Sequence, residues 1–147
     1  HPGDYQALRF LVRESWPVDM RDQVDDILKD ALTHPDSTAI FGCFANEEAV
    51  AYAQVSMRQE YTEGASTYPI AYLDALYIRQ NLRPLGVGQR LVDLVTTYVN
   101  SLGIEELAAD CLSSDLQQFE LYLQSGFEEV SQMTHFVKSI PLKMRRS

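Results

Sequence analysis

The sequence has no long apolar run and few cysteines. No segment approaches the roughly 20 consecutive apolar residues of a membrane-spanning helix, and no signal peptide is visible, although the chain begins at His1. Its 2 cysteines, Cys43 and Cys111, lie far apart in apolar segments, which favours buried free thiols over a disulfide. These features together predict a protein of the cytoplasm.

Positive charge is also scarce. The sequence has 12 Lys and Arg against 21 Asp and Glu, a formal net charge of −9. Such a charge repels nucleic acid and anionic membranes, so we expect neither as a partner, and it attracts a polycationic small molecule. The alternative is that the acidic surface only keeps the protein soluble.

Motifs of several common catalytic and metal sites are missing. The histidines His1, His34 and His135 are scattered and there is no Cys-x-x-Cys, so we expect no metal site. There is no Gly-x-Ser-x-Gly sequence that would indicate a serine nucleophile.

Apolar segments at regular spacing are what the sequence does contain. They predict one domain over residues 1–147, large enough to bury a core without disulfides. Asp4 is expected to cap the first helix, and an apolar face that begins at Met20 marks the second. The order predicts a mixed α/β or α+β sheet with helices on both faces. The predicted elements are helices over about 4–15, 20–34, 91–102 and 115–124, and strands over about 39–45, 49–57, 70–78, 107–111, 127–130 and 134–140.

The most informative strand is Ile70–Ile78. It is nearly all apolar, which implies burial on both faces, and its single acid, Asp74, is therefore expected to be buried. A loop, Arg83-Pro84-Leu85-Gly86-Val87-Gly88, follows it and leads into a helix. Free N–H groups and the positive end of the helix dipole suit a phosphate at such a point.

The two glycines of this loop let its backbone approach a pyrophosphate, and Arg83 adds a positive charge. The loop is not a Walker motif, because Gly88-Gln89-Arg90 stands in place of Gly-Lys-Ser/Thr, and it lacks the third glycine of a dinucleotide fingerprint. By itself it fits a mere turn as well as a phosphate site. The combination of this loop with a later pair of residues is more specific. Asp115 and Tyr122, seven residues apart, share one face of a predicted helix.

The loop and the Asp115/Tyr122 helix, which closes at Gly126-Phe127, resemble the GNAT superfamily of acetyl-CoA-dependent N-acetyltransferases. Its signature, Arg/Gln-x-x-Gly-x-Gly/Ala, matches residues 83–88. The resemblance covers nearly the whole chain and implies a mostly antiparallel sheet whose central strands splay around the pantetheine, here residues 74–78 and 107–111. It also implies a homodimer, and a strand before the first helix that is either missing from this protein or not included in residues 1–147.

Residues 60–69, followed by Tyr72-Leu73-Asp74 and Ala108-Ala109-Asp110, are similar to the short aminoglycoside 6′-N-acetyltransferases. That resemblance implies an aminoglycoside pocket and a coenzyme site. The implied substrate contacts are Trp16, Tyr61, Asp74 and Asp110, and the implied coenzyme contacts are Leu76, Tyr77, Ile78, Arg83, Leu85, Gly86, Val87, Gly88 and Asp115.

The residue types are consistent with a chemistry of acetyl transfer. A protonated amine must lose a proton before it attacks a thioester, and Asp74 is the candidate base. A backbone N–H near Tyr77 or Ile78 is the candidate oxyanion donor, and Tyr122 the candidate acid for the departing thiolate. The acetyl group would then pass directly between the two substrates, without a covalent enzyme intermediate.

Three functions therefore remain open. The first is acetylation of the 6′-amine of aminoglycosides, which would confer antibiotic resistance. The second keeps acetyl-CoA and changes the acceptor to a polyamine or a protein amine. The third is a catalytically silent sensor that binds coenzyme A or a cationic ligand, because a fold alone does not fix a function.

Overall fold

The computed structural model describes residues 2–16, 21, 23–34, 37–59 and 62–141. The helices and strands within these ranges follow the predicted order as far as the fourth helix. A 3₁₀ turn, Gln80–Leu85, precedes the third helix. The elements are α1 Pro2–Ser15, α2 Val24–Thr33, β1 Thr38–Ala45, β2 Glu48–Arg58, β3 Ile70–Ile78, α3 Val87–Ser101, β4 Leu107–Ala109 and α4 Leu116–Gln124.

Both N-terminal helices bury the apolar stripe that their sequences predict. Leu11 and Val12 of α1 and Val24 and Leu28 of α2 are at most 3% exposed. The expectation that Asp4 caps α1 is wrong, because the helix begins at Pro2 and Asp4 lies within its first turn, where its charge suits the helix dipole. Met20, expected on the second helix, lies outside the described residues.

The four strands form one sheet in the order β1-β2-β3-β4. β1 and β2 form an antiparallel hairpin whose turn contains Asn46, a residue with a positive φ of 58° that asparagine tolerates. β2 and β3 are antiparallel, whereas β3 and β4 are parallel and are joined through α3. The sheet is therefore mixed and mostly antiparallel, as expected.

Helices cover both faces of this sheet. On one face, α1 and α2 pack against Ala49 and Tyr52 of β2. On the other face, α3 and Tyr122 of α4 pack against Ala53 of β2 and Leu73 of β3, among others. Each face thus has its own apolar cluster.

A β-bulge interrupts β3 at Asp74. Gln54 pairs with Ala75 and the next residue, Val55, pairs with Leu73, so Asp74 is the extra residue. The bulge changes the alternation of side chains: Leu73 faces α3, and after the bulge so does Ile78, whereas Ala75 packs on the α1 side. A strict two-residue alternation would have placed Leu73 and Ile78 on opposite faces.

The expectation that β3 is buried on both faces throughout is wrong. Ile70, Ala71, Leu73 and Ile78 are buried, but Asp74 is exposed as a residue, although only 19% of its side chain is accessible. The reason is that β4 contains only three residues and pairs with β3 no further than Leu73.

The two strands expected at 127–130 and 134–140 are also absent from the structure. Residues 127–141 contain no helix or strand, and Phe136 and Val137 are 91% and 97% exposed. Their composition favours extended chain, but a strand needs a hydrogen-bonding partner, and this segment has none within the described part of the chain. Cys43 and Cys111 are free and half-buried. No helix in the described ranges is long and apolar enough to cross a membrane.

Candidate active site

The site begins where β3 and β4 separate. Their pairing ends at Leu73 and Ala109, and beyond it the edge of β3 is open. A cleft of about 2300 Å³ lies along this opening. Its walls include residues predicted as substrate, coenzyme or catalytic contacts, namely Trp16, Asp74, Leu76, Tyr77, Asp110 and Tyr122, together with Tyr72.

The main chain of β3 presents hydrogen-bonding groups to this opening at Leu76 and Ile78. The Leu76 carbonyl accepts from Gln118 Nε2 at 3.5 Å and the Ile78 carbonyl accepts from Arg83 Nε at 3.1 Å, both on the side away from β2. In an extended strand the N–H and C=O of one residue point the same way, so the N–H groups of Leu76 and Ile78 face the opening too. The N–H of Arg79 donates to the Val50 carbonyl of β2 at 3.1 Å. Because the direction of the N–H group repeats every second residue of a strand, the N–H of Tyr77 also points towards β2, where Tyr77 pairs with Tyr52. Of the two predicted oxyanion donors, only Ile78 directs its N–H into the opening. Leu76, which was not predicted as a donor, faces the same opening two residues after Asp74.

Asp74 is joined to Asp110 through two residues that the sequence did not single out. Arg58 Nη2 donates to Asp74 Oδ1 at 2.5 Å, and the guanidinium carbon of Arg58 lies 3.9 Å from the centre of the Tyr72 ring. The Tyr72 hydroxyl in turn donates to Asp110 Oδ2. Burial, followed by this bond to the Asp110 carboxylate, raises the pKa of Tyr72 to about 12, so the phenol stays protonated at neutral pH.

Trp16 lies at the rim of the cleft, directly after α1. It packs partly against the apolar cluster beneath α1 and α2, and it also lines the cleft. Beside it, burial raises the pKa of the Tyr52 phenol, although the hydrogen bonds between this phenol and Ser15 and Trp16 oppose that shift. Tyr61, the other predicted aromatic contact, lies outside the described residues.

Tyr122 lies deepest among the predicted groups. It is only 7% exposed, its ring centre lies 5.1 Å from that of Phe127, and its hydroxyl accepts from Gln118 Nε2 at 3.1 Å. Burial, and then the nearby Cys111, raises the pKa of Tyr122. Burial and the charge of Asp115 likewise raise the pKa of Cys111, which keeps that thiol neutral.

Asp115 is the N-cap of α4 rather than a residue within it. Its Oδ1 accepts from the N–H of Gln118 at 3.1 Å, which satisfies one of the free donors at the start of the helix. Gln118, which the sequence reasoning missed, is three residues after Asp115 and four before Tyr122, so helical spacing could have found it.

The predicted phosphate loop forms the start of α3. Gly86 is its N-cap, with φ at +77° and no side-chain cap, and the first intrahelical bond runs from Arg90 N–H to the Gly86 carbonyl at 3.2 Å. The N–H groups of Val87, Gly88 and Gln89 therefore have no intrahelical acceptor. This arrangement suits an anion.

The other loop glycine has a packing role. A Cβ on Gly88 would lie 2.8 Å from Leu121 Cδ2 and 2.9 Å from Ile78 Cδ1, so any larger residue would require these two methyl groups to shift. Arg83 lies at the rim of the loop, where its Nη1 donates to Gln117 Oε1 at 3.3 Å. The side chain of Leu85 lies outside what the structure describes.

No group of three or more His, Cys, Asp or Glu side chains in the described ranges could hold a metal ion. The groups that line the cleft are instead two carboxylates, an aromatic wall, a buried phenol and the open edge of β3. The start of α3, with its free N–H groups, packs against Ile78 at the end of that strand. Such a site can bind an anion at one end and a cation at the other, and can exchange protons between them.

The comparisons with known proteins define the class. The acetyltransferase (GNAT) family matches residues 5–127, and the chain belongs to that family. It is accordingly an acetyltransferase that uses acetyl-CoA as co-substrate.

Its relatives are more specific. An aminoglycoside N(6′)-acetyltransferase type 1 from Stenotrophomonas maltophilia is 29% identical over 92% of this chain and 87% of its own length. One from Serratia marcescens is 26% identical over 85% and 86%. Among solved structures, AAC(6′)-Iy in complex with the bisubstrate analogue CoA-S-monomethyl-acetylneamine has a TM-score of 0.84, with 24% identity over 92% of both chains. That likeness shows the fold.

Proposed function

We propose that this protein transfers the acetyl group of acetyl-CoA to the 6′-amino group of aminoglycosides and so confers resistance to them. The names of the relatives support this substrate. The observation that carries the proposal is the opening of β3 beyond Leu73, which places Asp74 and the free N–H of Leu76 two residues apart on one strand. A base and an oxyanion donor are therefore adjacent in the cleft.

In this mechanism the coenzyme binds along the open edge of β3. The N–H groups of Val87, Gly88 and Gln89 hold its pyrophosphate, with Arg83 at the rim. Ile78 and Leu76 offer main-chain groups to the pantetheine and the thioester. The coenzyme contacts retained from the sequence are Leu76, Tyr77, Ile78, Arg83, Leu85, Gly86, Val87, Gly88 and Asp115.

The acceptor binds at the acidic end, with Trp16 and Tyr61 as aromatic contacts and Asp110 as a partner for a further ammonium group. Asp74 takes a proton from the 6′-ammonium, directly or through water. The nitrogen lone pair then forms the C–N bond, and the N–H of Leu76 stabilises the oxyanion. The nitrogen loses its second proton to solvent, and the oxyanion re-forms the carbonyl as the C–S bond breaks. Tyr122 gives its proton to the departing sulfur and is reprotonated from solvent.

The same proposal includes a cytoplasmic homodimer of single-domain chains, since acetyl-CoA is a cytoplasmic metabolite. The exposed apolar side chains of the segment 134–140 support an interface: Phe136 is 91%, Val137 97% and Ile140 80% exposed. Apolar side chains exposed in one extended segment suit contact with another chain.

A matched pair of aminoglycosides tests the function. Neomycin B and paromomycin differ at the 6′ position, which carries an amine in the former and a hydroxyl in the latter. We expect release of free thiol from acetyl-CoA with neomycin B and a rate at least about 100-fold lower with paromomycin, because a site built to bind and deprotonate an ammonium is left unpaired by a hydroxyl. Spermidine and a lysine peptide serve as alternative acceptors. A faster reaction with either would replace the proposed substrate, and silence with every amine despite coenzyme binding would favour a sensor.

A further inference from the structure

Arg58 lies in the acidic part of the cleft but has the charge of the proposed acceptor. Its Nη2 donates to Asp74 Oδ1 at 2.5 Å, and its guanidinium carbon lies 3.9 Å from the centre of the Tyr72 ring. A carboxylate beside an aromatic face is a common way for proteins to bind an organic cation. The guanidinium of Arg58 therefore occupies a cation site formed by Asp74 and Tyr72.

Asp74 and Tyr72, which form this cation site, are held more firmly in place than the side chain of Arg58. Tyr72 donates its hydroxyl hydrogen to Asp110, and only 19% of the Asp74 side chain is accessible. The side chain of Arg58 is 43% exposed and stands at the end of β2. Ion pairs at this degree of exposure are weak, so Arg58 can leave the site while the carboxylate and the ring stay in place.

We propose that Arg58 is an internal occupant of the acceptor-amine subsite, which the ammonium group of a substrate must displace before Asp74 can take its proton. This inference rests on the proposed function and adds the basis of its selectivity. A polycation gains contacts with Asp110 and the acidic cleft while it displaces Arg58. A small monoamine gains only the contact that Arg58 already makes, and is rejected.

Three variants test selectivity. Arg58→Gln removes the charge and keeps most of the length, Arg58→Lys keeps the charge, and Lys29→Gln makes the same charge change on an exposed position of α2. For Arg58→Gln we expect the KM for a small monoamine, such as 2-aminoethyl glucoside, to fall at least about tenfold while the KM for acetyl-CoA stays constant. Arg58→Lys and Lys29→Gln should retain the wild-type ratio of kcat/KM between neomycin B and the monoamine. An unchanged ratio in Arg58→Gln, or an equal change in Lys29→Gln, would overturn the proposal.

Guanidinium ion tests occupancy of the site with a cation that is not itself an acetyl acceptor. Crystals of Arg58→Ala soaked in 20 mM guanidinium chloride should show the ion between Asp74 and the Tyr72 ring, and the ion should inhibit this variant competitively with the amine at a concentration at least about tenfold lower than it inhibits the wild type. Equal inhibition of both proteins, or soaked crystals without density there, would contradict an occupied subsite.

The two experiments separate the two proposals. If neither neomycin B nor another aminoglycoside is acetylated, yet guanidinium binds over Tyr72 in Arg58→Ala, the substrate assignment fails and the cation site stands. If neomycin B is acetylated but guanidinium inhibits the wild type and Arg58→Ala equally, the proposed function is supported and the proposed role of Arg58 is wrong.

Discussion

Glu106 Oε1 accepts hydrogen bonds at 2.6 Å from both the N–H and the hydroxyl of Thr67. The same oxygen accepts from the N–H of Ser66 at 2.8 Å. These bonds lower the pKa of Glu106, and the bond from the Thr67 hydroxyl has the largest effect. One carboxylate just before β4 therefore fastens the loop over residues 62–69, which forms a wall of the cleft, to the sheet.

The first prediction concerns this loop and pH. Because the pKa of Glu106 is lower in the folded protein than its ordinary value of 4.5, its contribution is complete above that value and is lost as the pH falls through the folded pKa. We expect the protection of the Ser66 and Thr67 amides from hydrogen exchange, corrected for intrinsic rates, to be constant from about pH 7 to 5 and to fall below about pH 4. In Glu106→Gln the protection should be low and independent of pH. Constant protection down to pH 3 in the wild type would show that other contacts hold the loop.

The second prediction separates the two glycines of the phosphate loop. Gly86→Ala meets no steric obstacle but forces φ of +77° on a residue with a Cβ, which costs about 1–2 kcal/mol. Gly88→Ala crowds the methyl groups of Leu121 and Ile78, at an overpacking cost of about 1–3 kcal/mol. Urea unfolding measures both losses. Gly86→Asn is the control for the first variant. Because asparagine tolerates a positive φ, this protein should be more stable than Gly86→Ala and close to the wild type.

The third prediction concerns the proposed base. Asp74→Asn should lower kcat by about 10²–10⁴-fold and leave the affinity for coenzyme A unchanged, because Asp74 lies at the acceptor end of the open edge and the proposed coenzyme contacts on β3 begin at Leu76. Steady-state kinetics and calorimetric titration with coenzyme A measure the two effects. Asp93→Asn, an exposed change on α3, is the matched control. An equal loss in kcat and in coenzyme affinity would argue against Asp74 as the base.

The fourth prediction concerns Tyr122. Tyr122→Phe keeps the ring contact with Phe127 and removes the hydroxyl that accepts from Gln118, so stability should fall by only about 1 kcal/mol while kcat falls more strongly. Because burial raises the pKa of Tyr122 above that of an unfolded tyrosine, its contribution is complete below about pH 10 and declines as the pH rises. The wild type should therefore lose more unfolding free energy between pH 9 and 11 than the variant. Equal losses would show that other groups govern the alkaline limit.

The fifth prediction concerns the proposed dimer. Val137→Asp places a charge within the exposed apolar segment and should shift the protein from dimer to monomer in light scattering after size exclusion, since burying an unpaired charge in an interface is costly. Leu32→Asp, at a residue 67% exposed on α2, should leave the dimer intact. A wild-type protein that is monomeric at 50 µM would contradict this interface.

Predictions from local patterns were confirmed for helices and strands whose bounds follow from the spacing of their own apolar residues. The strand bounds 70–78, the stripe of Leu91 and Val95 on α3, and the helix that carries Tyr122 follow directly from apolar spacing. The predicted strand at 134–140 failed because β-propensity describes an extended chain and not its partner. The contact between Arg58 and Asp74 could not be predicted, because the two residues are 16 positions apart across a sheet whose register the sequence leaves open.

By itself, the sequence determined which segments are helical, which loop has free N–H groups for a phosphate, and that acids outnumber bases. These depend on side-chain periodicity, glycine and composition, which act locally. Only the tertiary structure decided that Asp74 is a bulge on a strand whose neighbour stops after three residues, and that Arg58 and Tyr72 connect it to Asp110. Strand pairing and side-chain contacts over long separations arise when the whole chain packs, and no short segment contains that information.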